Sequence, residues 1–263
     1  GNSSATEYAI GNVLEEQMVR MNTDHPMTTM ELADRIGRCP LEFQPGARWK
    51  YGVSADILAA VVEKVSGMKY SEFLQKEIFE PLGMKDTGFY VPKEKLDRLA
   101  EAYEETKEGI KEFREDSLGI HMAMDVPPAY EAGGAGLVST IDDYSRFAAM
   151  LLNQGTFNGK QILFPETVKY MTTRRLFPEQ QEWFDKWWEM NGFSYGNLMR
   201  VMTDPWKAPF AAREGEYGWD GWLGCYFANL PKENMTILMM MQKKDAGTFE
   251  LTRRLRNVML LDL

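Results

Sequence analysis

Residues 43–51 of the chain are Phe-Gln-Pro-Gly-Ala-Arg-Trp-Lys-Tyr, and a periodic apolar pattern begins directly after them. Pro45-Gly46 is typical of a turn, because proline fixes φ and glycine adopts backbone angles that other residues avoid. From Ser54 onward apolar residues recur three or four positions apart, and Gly67 is a stop signal. The sequence predicts a loop that delivers Tyr51 to the start of an amphipathic helix. Its apolar stripe would be Ile57, Leu58, Val61, Val62 and Val65.

More helices are predicted on both sides of this loop. Residues 8–21 carry apolar side chains along one stripe, and residues 73–82 do so after Gly67. Thr28 and Glu31 have the spacing of a capping box, in which each residue satisfies a backbone donor of the other. We therefore expect the first half of the chain to be mainly helical.

Two further patterns lie in the middle of the chain. Residues 93–116 are highly charged and poorly periodic, so a surface loop is expected there. Gly133-Gly-Ala-Gly136 predicts a permissive loop, since glycine tolerates a wide range of backbone angles. Polar capping residues at 139–143 then predict a helix that contains Phe147 and Leu151.

The C-terminal region predicts a small sheet. Residues 222–230 and 236–242 have the composition of strands, and residues 249–261 predict a covering helix. The order of elements predicts an α+β fold, with a mostly helical region over 1–185 and an antiparallel sheet with a C-terminal helix over 186–263. Two or three strands leave an exposed edge, so we expect pairing with strands outside this chain or in a homo-oligomer.

Composition excludes several classes of function. The formal net charge of −9 argues against a nucleic-acid partner, because phosphate binding requires concentrated basic residues. No apolar run is long enough to span a membrane. The two histidines have no neighbours at ligand spacing, and Cys39 and Cys225 are expected to be buried thiols rather than a disulfide. No metal or cofactor is predicted, and localisation is open.

Three blocks of sequence carry a resemblance to a known family. They are residues 43–89, which include Phe79-Glu-Pro-Leu-Gly-Met-Lys-Asp-Thr-Gly-Phe89, residues 133–173, and Tyr217-Gly-Trp-Asp-Gly-Trp-Leu-Gly224. In this order they resemble the β-lactamase and penicillin-binding-protein family of serine hydrolases. Bacterial esterases of that family are the most similar, because their strand motif is often Trp-x-Gly where β-lactamases carry Lys-Thr-Gly. The resemblance implies a β-lactamase/transpeptidase-like fold.

The resemblance also implies roles for individual residues. Tyr51 corresponds to the tyrosine that shuttles a proton between nucleophile and leaving group. The backbone N–H of Trp222 corresponds to one oxyanion donor, and Trp219, Asp220 and Gly221 would line the substrate cleft. Asp220 departs from the family, because a carboxylate aimed at the cleft would oppose the developing oxyanion. Val53 is a second departure, since β-lactamases have asparagine at that position.

The family nucleophile belongs to a Ser-x-x-Lys motif, and two decoys occur here. Ser66-Gly-Met-Lys69 has the pattern, but we expect Gly67 to end a helix there and Ser66 to have no catalytic part. Gly192-Phe-Ser-Tyr-Gly196 has the pattern of a nucleophile elbow, yet a strand rather than a helix is predicted after it. The motif that carries the nucleophile is expected upstream of residue 1, which would make this chain N-terminally truncated and inactive alone.

Three functions follow from these expectations. The first is a carboxylesterase that acts through an acyl-enzyme on a small-molecule ester or amide. The second is a non-catalytic pseudoenzyme that keeps the cleft for binding. The third is a β-lactamase or D-peptidase activity of the full-length protein. The sequence does not identify the substrate, because loop shape sets specificity in this family.

Overall fold

The computed structural model describes residues 26–117, 120–187, 190–247 and 250–261. The helix predicted over residues 8–21 lies outside these ranges. The helices are α1 (Thr29–Gly37), α2 (Ser54–Ser66), α3 (Tyr70–Leu74), α4 (Glu80–Leu82), α5 (Ile141–Leu152), α6 (Pro165–Met171), α7 (Pro178–Asp185) and α8 (Glu250–Leu260). The strands are β1 (Tyr103–Thr106), β2 (Gly109–Glu112), β3 (Thr156–Phe157), β4 (Lys160–Gln161), β5 (Phe193–Tyr195), β6 (Arg200–Met202), β7 (Tyr217–Asp220), β8 (Tyr226–Leu230) and β9 (Met235–Met239).

The described part of the chain forms two compact units. The first unit comprises Gly1–Pro45, Lys50–Glu101 and Phe113–Thr140. The second comprises Gly46–Trp49, Ala102–Glu112 and Ile141–Leu263. The described elements α1 to α4 therefore belong to the first unit, and every strand named above belongs to the second.

In the first unit, α1 begins as predicted. The Thr28 hydroxyl accepts from the Glu31 backbone N–H at 3.2 Å, and a Glu31 carboxylate oxygen accepts from the Thr28 N–H at 2.8 Å. This capping box is confirmed, and each side chain satisfies a donor that a helix start leaves unpaired. The helix then buries Leu32 and Ile36 in a core with residues from outside α1, namely Met27, Val53, Tyr130 and Ala132.

Helix α2 has the predicted bounds, and its apolar stripe faces outward. It ends at Gly67, which has φ 69°, the left-handed conformation that glycine adopts at little cost. Its buried residues are Asp56, Ala59 and Ala60. The first unit therefore packs on this face of the helix, which is opposite the apolar stripe. The stripe is outward-facing, with Ile57 36%, Leu58 42%, Val61 48% and Val65 82% exposed.

The Gly133–Gly136 loop packs directly on the start of α2. A Cβ atom at Gly133 would lie 2.2 Å from the Ala55 carbonyl oxygen, and one at Gly136 would lie 2.9 Å from the Phe89 ring. The loop was predicted from backbone permissiveness. None of the glycines at 133, 134 and 136 has a positive φ, so the backbone conformation does not require them. They are required because the loop backbone lies too close to its neighbours for a side chain to fit.

The second unit contains an antiparallel sheet with the order β5-β6-β7-β8-β9. The expectation of two or three strands is wrong, because β5, β6 and β7 are only three or four residues long, which is too short for a strand pattern to be recognised in the sequence. Residues 222–225 form a turn rather than the start of a strand. One face of the sheet contacts α5, where the Asn229 amide donates to the Ala148 carbonyl at 2.8 Å.

The opposite face of the sheet packs on α8, as predicted for the C-terminal helix. Leu260 of α8 lies in a core cluster with Tyr226, Ala228, Leu230 and Ile237. The alternating positions of β8 therefore meet a helix on each face.

The charged stretch at residues 93–116 is more ordered than expected. A 3-10 turn spans Lys93–Arg98, and β1 and β2 form an antiparallel hairpin. The prediction of a loop is wrong in this part. The second strand is exposed at every position, so the sequence has no alternation of apolar and polar residues that would indicate a strand. Gly109, with φ 119°, supplies the turn.

Candidate active site

Tyr51 lies in the loop that precedes α2, as its sequence context predicted. Two residues later, the Val53 side chain is 7% exposed and belongs to the core of the first unit. Val53 therefore anchors the loop by apolar packing, where β-lactamases have an asparagine. Its buried side chain offers no hydrogen bond to a substrate.

A buried carboxylate fixes the helix that follows Tyr51. The Asp56 carboxylate is the acceptor for the Tyr130 hydroxyl, and it also accepts from the Gly134 backbone N–H at 3.3 Å. Burial raises the pKa of Asp56, and these hydrogen bonds oppose the rise. Asp56 thus ties the glycine-rich loop to α2, which the sequence did not reveal.

Several other tyrosines are unsuited to act as bases. Burial raises the pKa of Tyr70, Tyr217 and Tyr226, and it raises that of Tyr144 to about 12. A phenol with a raised pKa gives up its proton less readily than an ordinary tyrosine at neutral pH. These four side chains are therefore poor alternatives to Tyr51.

Ser66 has the position of a helix end, which confirms the sequence interpretation. It is the last residue of α2, and its hydroxyl accepts from the Met68 backbone N–H at 3.1 Å. The Lys69 ammonium lies 2.5 Å from the Glu131 carboxylate, which is almost fully buried. Lys69 is therefore committed to an ion pair and does not activate Ser66.

Ser194 is equally unsuited to be a nucleophile. It lies within β5, which β6 follows in an antiparallel hairpin, and its side chain is buried. The flanking glycines allow close packing, because a Cβ at Gly192 would lie 2.3 Å from the Asp204 carbonyl and one at Gly196 2.1 Å from the Met171 carbonyl. The strand context predicted for this motif is confirmed.

The predicted cleft motif lies at the end of β7. Trp219 and Asp220 are in the strand, and Gly221 begins a tight turn in which its N–H donates to the Cys225 carbonyl at 2.7 Å. Trp222 lies in that turn, and its indole N–H donates to Asp245 at 2.6 Å. This hydrogen bond fixes the Trp222 side chain.

Trp219 belongs to an aromatic cluster within the second unit. Its ring stacks on Trp187 with centroids 5.7 Å apart and meets Tyr195 edge-on at 5.6 Å. Trp49 contacts both Trp187 and Tyr195, at 5.0 and 5.4 Å. Such pairs favour a rigid apolar wall. Trp219, at the position where β-lactamases have lysine, is therefore part of that wall.

Asp220 has a buried ionic partner. Its Oδ1 atom lies 2.8 Å from Nη1 of Arg200, and the two side chains are 8% and 2% exposed. Because successive residues of a strand point to opposite faces, the carboxylate lies on the other side of β7 from the Trp219 ring. Its charge is therefore compensated, and contact with a substrate is not indicated.

The described residues offer no group of His, Cys, Asp or Glu that could hold a metal ion. The expectation that His121 lacks carboxylate neighbours is wrong, because it lies 2.9 Å from Asp116 and 3.6 Å from Asp125, which is four residues further along the chain. Both cysteines are free, and the expectation that they are buried is wrong, since each is partly exposed. No helix in the described ranges has the length and apolar character needed to span a membrane.

Comparison with known proteins identifies the family to which the chain belongs. The sequence profile described as Beta-lactamase matches residues 12–259. The chain belongs to the beta-lactamase family. This membership and the mixed helix and antiparallel sheet confirm the predicted family and fold class.

Individual relatives from this family are longer than the chain. Protein Rv1367c of Mycobacterium tuberculosis is 34% identical over 214 residues, which cover 79% of this chain and 52% of the relative. A putative D-alanyl-D-alanine carboxypeptidase of Escherichia coli O157:H7 is 29% identical over 80% of this chain and 48% of its own length. Esterase EstB of Burkholderia gladioli is 29% identical over 72% of this chain and 48% of the esterase. The chain thus spans about half the length of these curated relatives.

Solved structures share the fold. EstCE1, described as a hydrolase with promiscuous acyltransferase activity, superposes with a TM-score of 0.74 at 23% identity, covering 88% of this chain and 61% of that one. At this identity the similarity concerns the beta-lactamase fold and not the substrate. The roles of Tyr51 and of residues 219–222 stay predictions.

Proposed function

We propose that this chain is part of a β-lactamase-related serine hydrolase that cleaves carboxylic esters through an acyl-enzyme. The observation that carries the proposal is Trp219, whose ring lies in an aromatic wall where β-lactamases have lysine. A β-lactam or a D-alanyl peptide presents a carboxylate, which cations bind well. A neutral ester needs no such cation, so an apolar wall suits it better.

Each proposed role uses one chemical property. Tyr51 would transfer the proton between nucleophile and leaving group, and the Trp222 N–H would stabilise the developing oxyanion. A tyrosine base needs a neighbouring cation to lower its pKa. Lys50, directly before Tyr51, and Lys69, the lysine of the Ser66-x-x-Lys69 pattern, are each paired with a glutamate. We therefore propose that these 263 residues alone do not form an acyl-enzyme.

The test compares the 263-residue chain with the product of the complete coding region that encodes it. A fluorophosphonate probe should label a serine only in the latter, which should also hydrolyse p-nitrophenyl esters. Tyr51→Phe in that product should lower kcat by roughly a hundredfold or more, as expected for loss of a general base, without changing the far-UV circular dichroism. Stoichiometric labelling of the folded 263-residue chain would refute the inactivity of these residues alone.

A second candidate function is D-peptidase or β-lactamase activity. The relative from Escherichia coli O157:H7 is named a putative D-alanyl-D-alanine carboxypeptidase, which supports this alternative. Treating the complete product with fluorescent penicillin distinguishes the esterase from this alternative. Covalent labelling by penicillin without ester hydrolysis would favour the peptidase or β-lactamase. Absence of both activities would favour a pseudoenzyme that only binds ligands.

We also propose that the chain self-associates and that the free edge of β9 is one of the contact surfaces. Among the described strands, β9 pairs with β8 alone, so its other edge presents backbone donors and acceptors. Such an edge is a template for pairing with another strand.

A further inference from the structure

The strand end that carries the proposed oxyanion donor rests on a buried ion pair. Asp220 immediately precedes Gly221, and its carboxylate contacts Arg200 on the neighbouring strand β6. In the sheet register Arg200 lies opposite Gly218, two positions from Asp220, so the two charged side chains share one face. We propose that Arg200 and Asp220 are a positioning pair for the turn at Gly221–Trp222, an inference that rests on the proposed function.

A second ion pair extends this contact to the C-terminal helix. Arg256 of α8 lies 2.7 Å from the Glu216 carboxylate, and each side chain is 1% exposed. The Tyr226 hydroxyl accepts a hydrogen bond from Arg256, and the Arg200 guanidinium lies 5.0 Å from the centroid of the same ring. Two cations and two anions therefore surround Tyr226, which joins β6, β7, β8 and α8 in a cluster without net charge.

The burial of this cluster makes its geometry specific. Charges removed from water are costly unless each has a well-placed partner, so alternative arrangements of β7 that separate Asp220 from Arg200 are strongly disfavoured. Burial lowers the pKa of Arg200, but the charge of Asp220 opposes this effect and the net shift is upward. The guanidinium therefore remains a permanent partner for the carboxylate.

The pair acts on the proposed reaction through the backbone. Asp220 is one residue from Gly221 and two from Trp222, so its fixed side chain limits how far that turn can move. The Gly221–Cys225 hydrogen bond closes the other side of the turn. Arg200 also cancels a negative charge that would otherwise oppose an oxyanion near Trp222.

The activity test uses the complete product and four variants. Arg200→Met leaves the buried carboxylate without its partner, and it should lower kcat by roughly tenfold to a hundredfold with KM unchanged, as for a small misplacement of a catalytic group. Arg200→Lys keeps the charge and should retain more activity than Arg200→Met. Lys232→Met is the matched control, because it breaks the exposed ion pair with Glu214 in the same unit and should have no effect. Asp220→Asn is the fourth variant and should also lower kcat.

A second readout does not depend on enzymatic activity. The 263-residue chain is labelled with 5-fluorotryptophan, and the ¹⁹F resonances of Trp219 and Trp222 should shift in Arg200→Met and in Asp220→Asn but not in Lys232→Met. If Arg200→Met does not fold, the isosteric Asp220→Asn decides by the same measurements. Unchanged resonances, or a wild-type kcat in a folded Arg200 or Asp220 variant, would overturn the positioning role. If the complete product hydrolyses no ester, the proposed function fails, and the ¹⁹F shifts alone decide the role of the pair.

Discussion

Gly133 shows how one residue holds the loop next to the helix that follows Tyr51. A Cβ atom at this position would lie 2.2 Å from the Ala55 carbonyl oxygen and 3.0 Å from the Ala59 side chain. The backbone of α2 cannot yield easily at that point, because Asp56 is already bound to Tyr130 and Gly134. A side chain here would therefore force the loop away from the helix.

Gly133→Ala should accordingly destabilise the chain by about 1–3 kcal/mol, the usual cost of overpacking a filled site. Gly37→Ala is the matched control, since a Cβ at Gly37 has no neighbour within 4 Å and should change stability by less than about 1 kcal/mol. Urea denaturation of both variants measures the difference. Equal stability of the two would show that the loop moves freely on α2.

At this scale the sequence identifies residue types but not their partners. The proximity of Tyr51 and Val53 to α2 follows from local pattern, and the structure agrees. The Arg200–Asp220 pair does not, because it depends on the register of two strands that bring together residues 20 positions apart in sequence. The same holds for Trp187, which contacts Trp219 only through the tertiary fold.

At the scale of elements, boundaries were easier to predict than environments. The capping box and Gly67 locate the ends of α1 and α2 because caps are local chemistry. Periodicity shows that α2 has an apolar face, but it does not show that the small residues of the other face are buried. Strands β5 and β6 are too short for alternation to be recognised.

The 3-10 turn at Lys93–Arg98 offers a pH-dependent test. Hydrogen bonds from Arg98 and Lys95 lower the pKa of Asp86 from 3.8 to about 2. A lowered pKa in the folded state means that the stabilisation is complete above pH 4 and disappears as the pH falls towards 2.

Asp86→Asn should therefore cost about 1 kcal/mol or less at pH 7, and its stability should converge with that of the wild type near pH 2. The exposed Asp97, in the same turn, provides the control variant Asp97→Asn, which leaves the hydrogen bonds of Asp86 intact. Thermal unfolding between pH 2 and pH 7 measures the effect. A difference that persists unchanged at pH 2 would contradict the assignment.

At the scale of the whole molecule, two features favour association and one opposes it. The exposed stripe of α2 and the edge of β9 both offer surfaces that commonly bind other chains. The net charge of −9 makes copies of the chain repel one another. Salt should strengthen association, because it screens this repulsion.

Sedimentation of the 263-residue chain should therefore show association that increases with concentration and with salt. Val61→Lys with Val65→Glu should weaken it by placing charges on the stripe, whereas Phe164→Ser, at a residue that is 68% exposed elsewhere in the chain, should not. If the stripe variant associates as the wild type does, the β9 edge is the principal surface. A monomer at every concentration would exclude both surfaces.

The ionic cluster around Tyr226 also has a consequence for the order of events during synthesis. Glu216 and Asp220 leave the ribosome before Arg256, which belongs to α8, the last element described. Until α8 emerges, a nascent chain holds Glu216 without its guanidinium partner, and the sheet lacks the helix that covers its Tyr226 face. The strand that bears the proposed oxyanion donor should therefore become ordered only after α8 has left the ribosome, and a chain released before that point would expose the Tyr226 face of its sheet.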